Sequence, residues 1–159
     1  LNPGGPNHEE LSCLVGVYEY FNNLHEHHFP GSQRTTRDKI EKVNDLIARH
    51  EQEIANPLLD YIDSRDNIKL IGKSKIENKN RAPTIAFTVN NKSSKDVSSE
   101  LVKSGIATRN DNFYAWRCLK ALGIDTVDGV VRSSMVHYNN IDDVDRLISA
   151  FTKTNILSH

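Results

Sequence analysis

The sequence predicts an α+β fold, in which a small sheet of three to four strands carries helices on one face and follows a long connecting helix. Two observations lead to this prediction. Before residue 64, apolar residues recur at helical spacing in two long stretches. From residue 67 onward, short segments rich in β-branched and aromatic residues alternate with further helical patterns. The chain is 37% hydrophobic and 26% charged, which is typical of a folded globular protein.

Two long helices are predicted in the N-terminal part. The first covers residues 8 to about 28 and ends before a Pro-Gly pair. The second runs from about 36 to 63, with Thr36 as its N-cap and a kink or interruption expected just before Pro57. The apolar stripe of the first helix consists of Leu11, Leu14, Val15, Tyr18, Phe21 and Leu24.

Three strands and three helices are predicted after residue 66. The strands are "NIKLIG", "APTIAFTV" and "GVVRSSMVHY", and "IATR" is a short fourth strand or an extended link. The helices are "SSKDVSSELVKSG", "DNFYAWRCLKALG" and "IDDVDRLISAF". Ser94 is the expected cap of the first of these helices and Asn140 that of the third.

Charge and cysteine content narrow the classes of partner. The formal net charge of −1 and the lack of a polybasic stretch predict no nucleic-acid partner and no membrane partner. No run of apolar residues is long enough to span a bilayer. Cys13 and Cys118 are the only cysteines and lie far apart in the sequence. We therefore expect two free, buried thiols and a reducing, cytoplasmic location.

Arg132 is the most informative single residue, because it interrupts the apolar strand that contains Val131 and Met135. A guanidinium is always charged, and burying it without a partner is costly. Two interpretations are open at this point. Arg132 forms an internal salt bridge or lies at a strand end in water, or it grips a carboxylate ligand with two parallel hydrogen bonds.

Three other patterns also allow a structural and a functional interpretation. The Gly-rich turn in "NPGGPNHEE" is a plain capping turn or presents backbone N–H groups to a phosphate. His25 and His28 have a spacing that could hold a metal ion, but we favour a solvated helix end and predict no metal site. The segment "RNDNFYAWRC" is a capped helix start with aromatic core residues or a loop that faces a ligand.

The C-terminal half resembles the C-terminal part of class V aminotransferases, in the cysteine desulfurase-like branch of the enzymes that use pyridoxal 5'-phosphate (PLP). That family shows Gly-x-x-x-Arg, a helix, Arg-x-Ser, Tyr-Asn and an acidic helix start. The residues that match these motifs are Gly105, Arg109, Arg132, Ser134, Tyr138, Asn139, Asp142 and Asp143. The segment "GGPNHEEL" further resembles a Gly-Thr-x-Asn segment of the family, which opens a helix near the cofactor phosphate of the neighbouring subunit.

The resemblance implies the small C-terminal domain of a fold-type-I PLP-dependent transferase. Residues 1–33 would be the end of the large cofactor-binding domain, and residues 34–159 the connecting helix and the small α+β domain. The implied parent enzyme is a cytoplasmic homodimer that acts on a small amino acid. The implied substrate-binding residues are Arg132, which would hold the α-carboxylate, and Arg109 and Tyr114, which would lie on the loop over the site. The implied cofactor-binding residues are Gly4 and Gly5 near the phosphate, and Asn7 and His8 near the cofactor edge of the dimer.

Three departures from the family pattern affect what this chain can do. Tyr114 stands where the nearest cysteine desulfurases carry their nucleophilic cysteine, and we expect Cys118 to be a packing residue. Gly5 replaces the threonine of the Gly-Thr-x-Asn segment. No His-Lys pair occurs, so the family's PLP-binding lysine motif has no counterpart. We therefore expect an inactive C-terminal piece of a longer enzyme with no catalytic residue of its own; the alternative is a stand-alone ligand-binding or protein-interaction module.

Overall fold

The computed structural model describes residues 4–32, 34–77, 80–153 and 156. The chain divides into two compact units, Leu1–Arg49 and His50–His159. Within the described ranges, no helix is both long and apolar enough to cross a membrane. In chain order the elements are α1 (His8–His28), α2 (Thr36–Asp63), β1 (Ile68–Ile71), β2 (Thr84–Val89), α3 (Ser94–Lys103), β3 (Arg109–Asp111), α4 (Trp116–Ala121), β4 (Val130–Ser134) and α5 (Ile141–Lys153).

The first unit contains α1 and the beginning of α2. Inside it, Lys39 Nζ donates to Glu26 Oε1 at 2.7 Å and to the side-chain oxygen of Asn22 at 2.9 Å. His25 is fully buried beside this pair, so the prediction of a solvated helix end is wrong for this residue. Its ring nitrogens lie near Glu26 and Ser32, at 3.4 and 3.3 Å.

The apolar stripe predicted for α1 is present, but most of it faces solvent. The side chain of Leu14, for example, is 61% exposed. Exposed apolar residues on one helix mark a surface that other protein atoms usually cover. The exposed large apolar residues of α1 are Leu11, Leu14, Val15, Val17, Tyr18 and Tyr20.

Helix α2 differs from its prediction at the cap, and of the kink or interruption expected near Pro57 the interruption does not occur. Its cap is Thr35 rather than Thr36, because the Thr35 hydroxyl accepts the Asp38 N–H at 3.2 Å and donates to the Asp38 carboxylate at 2.8 Å. The helix also continues through Pro57 without interruption. Next to the proline, the Asn56 side-chain amide accepts the backbone N–H of Ile76 at 3.0 Å and so ties a loop to the helix.

The second unit is built on a four-stranded sheet with the order β1-β2-β4-β3, in which each neighbouring pair is antiparallel. Ile85 lies opposite Ser133 and Phe87 lies opposite Val131, so these residues share one face. That face is buried against apolar residues of α2, α3 and α5. The predicted α+β fold with helices on one side of a small sheet is therefore confirmed. The helix residues of this core include Ile54, Leu58, Ile62, Val97, Leu101, Val144, Leu147 and Phe151.

Three predicted boundaries moved. Helix α3 is capped by Ser93, whose hydroxyl accepts the Asp96 N–H, rather than by Ser94. The short strand is β3 at Arg109–Asp111 rather than "IATR". Helix α4 begins at Trp116, five residues later than predicted. The cap predicted for α5 is confirmed, since Asn140 Oδ1 accepts the Asp143 N–H at 3.1 Å.

Candidate functional site

The face of the sheet that is turned away from the core carries Arg132. Side chains alternate along a strand, so Arg132 lies on the face opposite to that of Val131 and Ser133. In the register of the sheet, its cross-strand partners are Ala86 of β2 and Arg109 of β3. Cross-strand partners present their side chains to the same face. Two arginines, both named by the sequence analysis, are thereby brought together on one side of the sheet.

The Arg132 guanidinium is half-buried and has no acidic partner among the described residues. Its Nε is buried and has no hydrogen-bond partner among those residues either. Its Cζ lies 4.0 Å from the centroid of the Phe113 ring. Of the two interpretations in the sequence analysis, the internal salt bridge is therefore not found within the described residues. The arrangement leaves hydrogen-bonding capacity that an anion could use.

Phe113 reaches Arg132 from an unusual turn between β3 and α4. Phe113 and Tyr114 have φ angles of 50° and 59°, a left-handed conformation that is uncommon for bulky residues. Asn112 holds this turn, because its Oδ1 accepts the Tyr114 N–H at 3.0 Å and its Nδ2 donates to the Thr126 carbonyl at 3.2 Å. The Asn112 carbonyl accepts the Ala115 N–H at 2.8 Å. The turn therefore delays the start of α4 and aims Phe113 at the arginine.

Gly129 supports the same turn from the adjacent chain segment. A Cβ atom at this position would lie 2.3 Å from the backbone carbon and oxygen of Asp111 and 2.6 Å from the backbone nitrogen of Asn112. Its φ of 73° is also in the region that favours glycine. The turn can lie this close to the beginning of β4 only because residue 129 has no side chain.

Sequence reasoning missed Phe113 and Gly129. The sequence predicts a helix over "DNFYAWRCLKALG", with a loop that faces a ligand as the open alternative around its start, but nothing in the apolar spacing indicates a left-handed aromatic residue. The available signal was the Asp-Asn pair at 111 and 112, since such residues favour turns through side-chain hydrogen bonds to the backbone.

Tyr114 is 98% exposed, beside Phe113 in the turn. By the resemblance described above, Tyr114 occupies the position at which the nearest cysteine desulfurases carry their nucleophilic cysteine. Cys118 and Cys13 are both exposed, so the expectation of buried packing thiols is wrong for both. The helix that carries Cys118 instead buries Leu119, which is 4% exposed.

The Tyr-Asn part of the motif shapes the connection from β4 to α5. Asn139 Oδ1 accepts the Val136 N–H at 3.0 Å, and its Nδ2 donates to Asp143 at 3.2 Å. The hydrogen bond from Asn139 lowers the pKa of Asp143. Hydrogen bonds to the same carboxylate from the Asn140 backbone and from Arg146 lower it further. His50 Nε2 donates to the Asn139 carbonyl at 2.8 Å. In this structure, Asn139 is a residue that folds the loop, while Tyr138 is 80% exposed.

A cavity of about 200 Å³ adjoins the end of β4. Its walls come from β4, from the link that precedes β3 and from α5. Arg132 is not part of its lining. The half-buried side chain of Arg132 is thus separate from this cavity. The lining includes Ala107, Ser133, Met135, Asn139 and Leu147.

The cofactor-binding residues predicted from the resemblance lie at the start of α1, in the first unit. Gly4 and Gly5 have φ angles of 89° and 85°, and a Cβ at either would meet no atom within 4 Å. Asn7 is the N-cap of α1, and its side-chain oxygen accepts the N–H groups of Glu9 and Glu10. His8 is exposed as the first helical residue.

These residues do not by themselves fit a PLP phosphate. The Asn7 side chain already takes two of the helix-start N–H groups that a phosphate would use. Two glutamates in the first helical turn oppose a second anion there. The lysine motif is absent from the sequence as well. The residues predicted to bind the cofactor therefore do not form a complete cofactor site among the described residues.

Comparison with known proteins places the chain in a family. The sequence model of the family described as Aminotransferase class-V matches residues 40–147, which is more than half of the chain. The chain belongs to the class V aminotransferase family. The matched range contains both arginines, the left-handed turn and Gly129. The family resemblance inferred from the motifs of the C-terminal half is confirmed, whereas the segment "GGPNHEEL" lies outside the matched range.

Two curated members of this family group show the extent of the match. The aminotransferase-like protein FGM3 of Gibberella zeae is 36% identical over 107 residues, which make up 67% of this chain and 27% of that protein. A probable cysteine desulfurase of Halalkalibacterium halodurans is 30% identical over 118 residues, 74% of this chain and 27% of that protein. The class V aminotransferase chain described here thus spans about a quarter of the length of the curated relatives it matches.

Solved structures show the same fold. The apo cysteine desulfurase from Thermococcus onnurineus NA1 aligns with a TM-score of 0.59 and 23% identity, covering 73% of this chain and 28% of that chain. The cysteine desulfurase CsdA from Escherichia coli aligns with a TM-score of 0.54 and 22% identity, covering 74% and 28%. The α+β fold is therefore that of a domain of these enzymes.

Proposed function

We propose that this chain is the C-terminal part of a PLP-dependent class V enzyme that acts on a small amino acid, and that Arg132 binds the substrate carboxylate. The observation that supports this proposal is the half-buried Arg132 guanidinium, whose Nε has no hydrogen-bond partner among the described residues. A planar guanidinium matches a carboxylate with two parallel hydrogen bonds. An amino acid would therefore supply the partner that this part of the chain does not.

Arg109 and Tyr114 complete the proposed substrate site. Arg109 is the cross-strand neighbour of Arg132, and its charge raises the positive potential that attracts an anion. Tyr114 is fully accessible on the turn that also carries Phe113. We propose that Tyr114 covers the bound amino acid within the complete enzyme.

We propose that residues 1–33 belong to the large cofactor-binding domain and residues 34–159 to the connecting helix and the small domain. The exposed apolar residues of α1 support this division, because a helix inside a larger domain would have them covered. In the complete enzyme, a cytoplasmic homodimer, Gly4, Gly5, Asn7 and His8 would lie near the PLP of the neighbouring subunit. PLP would supply the electron sink for chemistry at the amino acid's α-carbon.

The type of reaction is constrained by Tyr114. Formation of a persulfide needs a cysteine thiolate, and this position carries a phenol instead. We therefore propose transamination, elimination or epimerisation rather than desulfuration through a cysteine at residue 114. The isolated chain should be inactive, because the PLP-binding lysine motif is absent from it. An absorbance band from a PLP imine in the purified chain would contradict this.

Titration of the purified chain with sodium acetate tests the role of Arg132. The Nε–Hε NMR signal of Arg132, identified by its loss in Arg132→Lys, should shift as acetate binds, and the backbone amide signals of residues 109 and 132 measure the affinity in every variant. Arg132→Lys keeps the charge but loses the fork, so it should weaken acetate binding about tenfold or more. Arg37→Lys is the matched control, because Arg37 is an exposed residue of α2 that pairs with Glu41. Equal affinity for acetate in all three proteins would refute the carboxylate role.

A further inference from the structure

The stack between Phe113 and Arg132 adds a residue to the substrate site. We infer that Phe113 is a positioning residue: its ring supports one face of the Arg132 guanidinium and fixes the plane in which that group binds an anion. This inference rests on the proposed role of Arg132 in carboxylate binding. It concerns how the guanidinium is oriented, which neither the family match nor the sequence motifs address.

An arginine at a ligand site needs something to hold its long side chain. Ion pairs or hydrogen bonds from the protein usually do so, but Arg132 has neither among the described residues. The contact that remains is the Phe113 ring, 4.0 Å from the guanidinium carbon. An aromatic ring covers one face of a guanidinium and leaves the N–H groups along its edge free for hydrogen bonds. Stacking therefore orients the group without using the donors that a carboxylate needs.

The backbone conformation supports a specific role for the ring. Two successive aromatic residues with positive φ angles are unfavourable, and such strain persists only where the surroundings enforce it. Here Asn112 bonds the turn on one side, and Gly129 lets the turn approach β4 closely. A helix begun at residue 112 would avoid the strain but would not hold the ring in this turn.

Phe113 is not part of the hydrophobic core. It is half-buried and lies outside the cluster that joins the sheet to α2, α3 and α5. Its replacement by another apolar residue should therefore leave the fold intact and change only the guanidinium. This separates a positioning role from a packing role.

The test uses the isotopically labelled 159-residue chain and sodium acetate as the probe. Phe113→Leu should bind acetate about tenfold more weakly, since a cation–π contact between half-buried groups is worth about this much. Phe113→Tyr keeps an aromatic face and should bind acetate as tightly as the wild type does. Trp116→Leu removes an exposed aromatic residue from the same segment and should change nothing. In acetate-free wild-type chain, the ring current of Phe113 should shift the Arg132 side-chain protons upfield.

Several results would overturn the inference. Wild-type affinity in a folded Phe113→Leu, or failure of Phe113→Tyr to restore binding, would show that the aromatic face does not position Arg132. If Phe113→Leu does not fold, Phe113→Met takes its place with the same expectation. Absence of the ring-current shift in the wild type also refutes the stack, whatever the variants do. If the shift is present but no protein binds acetate, the proposed role of Arg132 fails, and the positioning role fails with it.

Discussion

Arg109 and Arg132 lie directly opposite each other in the antiparallel register of β3 and β4. Both side chains are permanently charged and belong to the same face of the sheet. Among the described residues, neither forms an ion pair with a carboxylate. Like charges directly opposite each other destabilise a sheet, so this face is less stable when no anion is bound.

Arg109→Gln should therefore stabilise the second unit in buffer that contains little salt. The expected gain in the free energy of unfolding is about 0.5 kcal/mol, because one of two opposed charges is removed. Urea unfolding followed by the fluorescence of Trp116, the only tryptophan, measures it. Arg117→Gln is the matched control, since it changes the net charge equally but lies on α4 and not in the sheet.

The gain from Arg109→Gln should shrink as salt is added, because the repulsion is screened within about 10 Å at 0.1 M salt. Acetate should stabilise the wild type more than the variant. A destabilised Arg109→Gln, or one that behaves like Arg117→Gln at every salt concentration, would show that the two arginines do not repel each other.

Gly129→Ala should disrupt the turn that carries Phe113. A Cβ atom 2.3 Å from the Asp111 backbone cannot be accommodated unless the chain moves, and the positive φ adds strain. We expect a loss of at least about 2 kcal/mol in the free energy of unfolding. Acetate binding should weaken as well, because Phe113 would leave Arg132.

Gly123→Ala is the matched control for this effect. Its φ of 69° is similar, but a Cβ there would meet no atom within 4 Å. Gly123→Ala should therefore lose only about 1 kcal/mol of the free energy of unfolding, from the strained backbone conformation, and should keep its affinity for acetate. Equal losses in the two variants would mean that close approach at Gly129 is not the cause.

The sheet and the longer helices could be predicted because their signals are periodic. Alternation along "TIAFTV" matches the observed burial of β2, and the same alternation in β4 places Arg132 on the other side from Val131. Helix α1 was predicted at its observed bounds. The exposure of its apolar stripe could not be predicted, since periodicity shows that a face is apolar but not what covers it.

The errors occurred where neighbouring residues compete for one role or where contacts distant in sequence decide. Ser93 and Ser94 are both good caps, and Ser94 instead donates its backbone N–H to the Asp128 carboxylate at 2.9 Å. His25 was expected in solvent because it lies near a helix end. Its burial accompanies hydrogen bonds from Lys39 to Glu26 and Asn22 of α1, which lie 13 and 17 residues away in the sequence. The Phe113 turn depends on Gly129, which no local pattern reveals.

Thr35→Ala should destabilise α2, whereas Thr36→Ala should not. The Thr35 side chain makes the reciprocal contacts with Asp38, and Thr36 is the first helical residue, with its side chain exposed. Loss of an N-cap costs about 1 kcal/mol. Thermal unfolding followed by circular dichroism should give a lower midpoint for Thr35→Ala alone. The reverse order would support the original prediction of Thr36 as the cap.

Asp143 should make stability depend on pH. The hydrogen bond from Asn139, followed by those from Asn140 and Arg146, lowers the pKa of Asp143 in the folded protein. A carboxyl group whose pKa falls on folding contributes stability above its ordinary pKa and loses it as the pH drops through the folded value. Asp143→Asn should therefore unfold at a lower urea concentration than the wild type at pH 6, and the difference should narrow as the pH falls below about 4.

Asp145→Asn is the control for that experiment, because Asp145 is an exposed carboxylate on the same helix. It should keep the urea midpoint of the wild type at pH 6. The convergence matters for the proposed substrate site, since Asn139 and Asp143 together fold the segment that leaves β4 just after Arg132. A difference between wild type and Asp143→Asn that stays constant from pH 6 to pH 3 would mean that its cause is altered packing and not the charge of Asp143.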